Sequence, residues 1–173
     1  MKTLIINRCF IKLLLLATIL CFTANSAFAQ PALPQRTLTV TATQSIHFGT
    51  FCVTGGSGGT ITLGYNGNRT STGEIILLDV PPMAQPAIFE LKLCLSRTVY
   101  LNFDPPIIPL NGAGGSLSLR MGPTDKGDNG SGFLLNSDCN YVTTLRVGGT
   151  LTATAAAHPG NYSGTFAINF IYQ

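Results

Sequence analysis

Gly55-Gly56-Ser57-Gly58-Gly59 matches the G-x-S-x-G spacing that presents a nucleophilic serine in hydrolases. That chemistry needs a tight turn from a strand into a helix, with backbone N–H groups placed for the oxyanion. Here Thr60-Ile61-Thr62-Leu63 continues as an alternating strand, and four glycines around one serine read as a loop. The two histidines, His47 and His158, have no His-x-x-x-His or Cys-x-x-Cys spacing beside them, so zinc has little support. Asp79 and Asp104 lie near prolines with no acidic neighbour in sequence, which leaves paired-carboxylate catalysis without a local pattern. Asp125-Lys126-Gly127-Asp128-Asn129-Gly130 has oxygen ligands but not the spacing of a calcium loop, and its residues are those that turns select. The sequons at Asn68, Asn129 and Asn161 read as turn chemistry in the same way. The expectation is a non-enzyme with no cofactor and no metal site.

The elements that would position these residues are strands. After residue 30 Thr, Val, Ile, Leu and Phe alternate with polar residues between Gly-rich turns, with a period of two. Leu38, Val40 and Ala42 alternate with threonines in a first strand, and Ile61 and Leu63 mark another. The run from Glu74 to Val80 reads as a central strand stopped by Pro81-Pro82. Phe89, Leu91, Leu93 and Leu95 follow, then Val99 to Phe103, Leu117 to Met121, and Phe133 to Leu135. Leu145 to Val147 and Leu151 to Ala155 read as two separate strands, and Phe166, Ile168, Phe170 and Tyr172 as the final one. Roughly eight to ten short strands with turns between them predict an all-β antiparallel sandwich.

The first residues predict export. Lys2, Arg8 and Lys12 precede an apolar run from Leu13 to Phe22, and Ala27-Phe28-Ala29 is a small-x-small cleavage site. The expected organisation is a signal peptide over 1–29 and one β-sandwich domain over 30–173, secreted to the periplasm or cell surface. No membrane span is expected after cleavage. Without the signal the charges balance, seven Lys and Arg against seven Asp and Glu, so no basic face for nucleic acid is indicated. A charge-poor surface offers little repulsion between copies and favours association. Of five cysteines, Cys52, Cys94 and Cys139 remain after residue 30, enough for one disulfide and one extra thiol. Residue order alone allows any of the three pairings.

Several stretches carry a resemblance. They are Ile46-His47-Phe48-Gly49-Thr50, Gly59-Thr60-Ile61-Thr62-Leu63, Val147-Gly148-Gly149-Thr150-Leu151, and Gly160-Asn161-Tyr162-Ser163-Gly164-Thr165-Phe166. Together they resemble an exported bacterial family of domains of unknown function, the DUF4402 type, related to spore coat protein U and to chaperone-usher pilins. The end Asn169-Phe170-Ile171-Tyr172-Gln173 is similar to the last strand of such pilins, which carries a tyrosine next to last. The resemblance implies an immunoglobulin-like sandwich and a structural or adhesive subunit of a fimbria or coat. Its partners would be copies of itself or related subunits, with a periplasmic chaperone and usher. It also implies a Cys52–Cys94 disulfide, with Cys94–Cys139 as the alternative. Leu38, Val40 and Ala42 from one copy would sit beside Phe166, Ile168, Phe170 and Tyr172 of another. The departure from that pattern is a short, proline-broken arm, Gln30-Pro31-Ala32-Leu33-Pro34-Gln35. The rival expectation is a soluble exported binding domain, for example for carbohydrate, that uses its loops.

Overall fold

The computed structural model describes residues 37–94, 96–112, 117–138 and 140–172. The segment predicted as signal peptide lies outside them. Twelve strands are present among the described residues and none of these residues is helical. They are β1 (Thr39–Gln44), β2 (Thr50–Val53), β3 (Gly59–Leu63), β4 (Arg69–Gly73), β5 (Ile75–Leu78) and β6 (Ala87–Lys92). Then come β7 (Thr98–Phe103), β8 (Ile107–Leu110), β9 (Leu117–Thr124), β10 (Gly132–Leu134), β11 (Thr143–Ala153) and β12 (Ile168–Tyr172). Every pairing between them is antiparallel.

The period-two pattern sorts the side chains into two faces. In β9 Leu117, Leu119 and Met121 are buried while Arg120 is exposed, and in β7 Val99, Leu101 and Phe103 are buried while Tyr100 is exposed. These two inner faces, with Leu91, Leu145, Val147, Leu151 and Ile61, form one continuous core. The layers are a seven-stranded sheet built on β11 and a three-stranded sheet in the order β10-β7-β12. A separate ribbon pairs β2 with β5. The predicted antiparallel β-sandwich is therefore observed.

β11 organises the larger sheet, and it differs from the two strands expected there. Along one edge it pairs β9, from Val147 to Ala153. Along the other edge Thr143 to Val147 pair β6, and Gly149 to Ala153 pair β3. Gly148-Gly149 looks like a turn in sequence because glycine weakens strands. Here it sits where the partner changes from β6 to β3, and a Cβ on Gly148 would collide with the Leu63 carbonyl oxygen. Gly148→Ala is expected to cost about 3 kcal/mol, because rigid backbone rather than a movable side chain must yield. Urea unfolding would measure this, with Thr152→Ala, exposed on the same strand, as the near-neutral comparison.

The run from Glu74 to Val80 is not a central strand. Among the described residues β5 pairs only β2, with Ile75 buried but Ile76 and Leu78 exposed. An unbroken apolar run predicts burial on both faces, whereas this ribbon has one face on the core and one in solvent. The short strands β2, β4 and β8 are additions to the predicted set, the last an edge strand that tolerates Pro109.

Candidate functional site

Ser57 lies in the loop from β2 to β3, so the G-x-S-x-G stretch joins strand to strand. Glu74 holds this loop. Its carboxylate accepts the Ser57 N–H at 2.6 Å, its carbonyl accepts the Thr54 N–H, and its own N–H donates to the Gly58 carbonyl. His47 sits in a small turn, where its Nδ1 accepts the Gly49 N–H at 2.8 Å and Gly49 takes a positive φ of 73°. The Asp125 Oδ1 accepts the Arg146 N–H and the Asn129 Oδ1 accepts the Phe103 N–H, each at 2.7 Å, so both side chains fasten a turn to neighbouring strands. No group of three or more His, Cys, Asp or Glu side chains converges among the described residues.

Arg69 on β4 is a structural centre that sequence reasoning missed. Its side chain is only 9% exposed. Nη1 donates to the carbonyls of Phe48 and Thr50 at 2.9 and 3.1 Å, and Nη2 donates to the Leu78 carbonyl at 2.9 Å. One guanidinium thereby ties the Ile46 to Thr50 stretch and the end of β5 to the edge of the larger sheet. The signal for it was an arginine set among uncharged strand residues, Asn68-Arg69-Thr70-Ser71-Thr72.

The proposed assembly residues fall at two sheet edges. β1 pairs β6, with Val40 opposite Leu91 and Ala42 opposite Phe89. Directly paired residues project to the same face, so Leu38, Val40 and Ala42 point to the core side. Yet Leu38 is only half-buried, Val40 is 39% exposed and Ala42 is exposed. No residue of β1 belongs to the buried core. β12 is the edge of the smaller sheet, with Ile168, Phe170 and Tyr172 opposite Phe103, Leu101 and Val99. Its inward side chains are also incompletely covered: Ile168 and Phe170 are half-buried and Tyr172 is 44% exposed. Phe166, just before β12, packs edge-to-face on Phe89 with ring centroids 6.1 Å apart. Among the described residues the two groups are not paired with each other, and each lies at an edge, β1 of the larger sheet and β12 of the smaller.

The family model described as a domain of unknown function (DUF4402) matches residues 38–172, which takes in all twelve strands. The chain belongs to the DUF4402 family. No curated protein and no solved structure matches it.

Within this DUF4402 domain the stretches that carried the resemblance have structural work. The Ile46 to Thr50 turn is the one that Arg69 clamps, and Gly148-Gly149 is the partner change on β11. Tyr162 donates its hydroxyl to the His158 carbonyl at 2.8 Å, fixing the approach to β12. The cysteines correct the favoured pairing. Cys52 is a free, exposed thiol on β2, while Cys94 is disulfide-bonded, so the Cys52–Cys94 bridge does not form. Cys52 faces outward from the β2–β5 ribbon opposite the exposed Ile76. Cys139 lies outside the described residues.

Proposed function

We propose that this DUF4402 chain is an exported, non-catalytic subunit, structural or adhesive, that assembles at the cell surface with copies of itself or related subunits. The kinship with spore coat protein U and chaperone-usher pilins, an immunoglobulin-like topology, and handling by a periplasmic chaperone and usher are parts of this reading. The observation that carries it is that the edge strands β1 and β12 both leave apolar core-side residues partly uncovered, and these two edges form the proposed assembly seam. A strand added at such an edge would extend the ladder and cover the exposed apolar side chains together. Balanced charge after the predicted signal supports close packing of copies. Electron microscopy with antibody labelling of cells, with and without the gene, tests this reading. Gene-dependent labelled fibres or a labelled surface layer are expected, and label confined to the cytoplasm would overturn it.

The same reading assigns the disulfide to Cys94 and Cys139. Cys94 precedes β7, and Cys139 falls in sequence between β10 and β11. Those neighbourhoods are joined by the β10–β7 pairing and by the Leu135 N–H donating to the Arg97 carbonyl at 3.0 Å. Non-reducing peptide mapping of exported protein is expected to link the Cys94 and Cys139 peptides, with Cys52 alkylated before any reductant is added. Closing that loop contributes about 4 kcal/mol by the chain-entropy relation. A Cys52-containing bridge within the monomer would refute the assignment.

A further inference from the structure

A groove of about 450 Å³ opens between the β6–β7 loop, the turn after β9 and the β10–β11 loop. Leu135, 1% exposed, forms its floor. Two of its walls are apolar surfaces left in water, Tyr141 at 53% and Leu134 at 67% exposure. Ser96, Asn136 and Thr143 bring polar side chains to the same space. The Asn136 Oδ1 already accepts the Asp138 N–H at 2.9 Å, which holds the amide in place and leaves its NH₂ group as a donor.

We infer that this groove binds a neutral sugar unit of a glycan. Hydroxyl groups both donate and accept, so Ser96, Thr143 and Tyr141 match sugar hydroxyls, which do the same. A phosphate or sulfate only accepts and would need uncompensated cations. The cation lining the groove, Lys126, is instead paired to Asp125 at 3.4 Å, so it presents little net positive charge. A pyranose ring has one face of C–H groups, and such a face covers an exposed tyrosine ring while its rim hydroxyls reach the surrounding polar groups. Tyrosine suits this because its body is apolar and its tip is polar.

This site does not rest on the assembly reading. It is lined by residues at the loops after β6, β9 and β10, whereas the proposed assembly edges are β1 and β12, so monomers that cannot assemble would still bind. The test is an array of immobilised neutral oligosaccharides (glucosides, galactosides, mannosides and N-acetylhexosaminides) beside sulfated and phosphorylated counterparts, probed with the purified exported protein. Binding to at least one neutral glycan is expected. Tyr141→Ala should weaken it about tenfold or more, a loss equivalent to the stacking and burial of one aromatic ring. Asn136→Ala should weaken it less. Both residues are exposed, so thermal unfolding of the variants should match the parent. Tyr65→Ala removes an exposed tyrosine on the β3–β4 turn and should leave binding unchanged. Binding to charged glycans alone, no glycan binding, or equal binding by the Tyr141→Ala and Tyr65→Ala variants would overturn the inference.

Discussion

Arg69→Ala is expected to lower the unfolding free energy by about 3 to 5 kcal/mol, the range for breaking a nearly buried, charge-assisted hydrogen-bond set. The side chain is 9% exposed, and its three short donations end on the carbonyls of Phe48, Thr50 and Leu78. Truncation removes the donors and leaves the part-buried carbonyls of Phe48 and Thr50 without them. For a domain of this size the melting temperature should fall by roughly 10 to 20 °C. Arg69→Lys keeps the charge but cannot present two nitrogens in a fixed fork, so an intermediate loss is expected. Asp79→Asn should change little. That carboxylate meets Arg69 at 3.4 Å but is 91% exposed, where water screens the pair. Calorimetry of the three variants separates the contributions, and an Arg69→Ala protein as stable as the parent would show that the clamp does not hold the ribbon.

The fold was largely readable because inward and outward residues alternate so regularly. Val99, Leu101 and Phe103, or Leu117, Leu119 and Met121, announce both strand and face, and the structure buries each of them. The misreadings occurred where pairing over long distances changes the meaning of a local signal. Gly148-Gly149 is turn-like by propensity, yet it lies within β11 because two other strands meet end to end along that edge. The Glu74 to Val80 run is apolar enough for a central strand, but its solvent face depends on what the rest of the sandwich leaves uncovered. Arg69 could not be assigned a role from sequence, since its acceptors are backbone carbonyls that carry no residue-type signature.

The cysteines illustrate the same limit from another side. The family resemblance implied Cys52 with Cys94, but a resemblance does not report which way a strand residue faces. Cys52 projects from the outer face of a two-stranded ribbon, away from the core. The seam, by contrast, was half visible. Alternation identified Leu38, Val40 and Ala42 as one apolar face. Whether the opposing sheet extends beneath that face depends on topology, and among the described residues the smaller sheet ends at β12.

Val40→Asp is expected to abolish assembly while leaving the monomer folded. Val40 points to the core side of β1 but is 39% exposed, and β1 supplies no residue to the buried core. A carboxylate there therefore remains hydrated in the monomer, and a stability loss below about 1 kcal/mol is expected for such a site. In an assembled state the position changes character. A strand from a neighbouring copy laid along the edge of β12 would close the proposed seam and remove Val40 from water, whether Val40 belongs to the wall of the seam or to the incoming strand. Burying an unpaired carboxylate then costs several kcal/mol, enough to prevent polymerisation at ordinary concentrations. Thr41→Asp is the matching comparison, since Thr41 lies opposite Glu90 on the outer face of the same strand and is exposed there. Analytical ultracentrifugation and negative-stain microscopy should find fibres or large assemblies for the parent and for Thr41→Asp, and folded monomers alone for Val40→Asp. Normal fibres from Val40→Asp would remove the seam from the assembly mechanism, and an unfolded Val40→Asp monomer would mean that β1 completes its own sandwich.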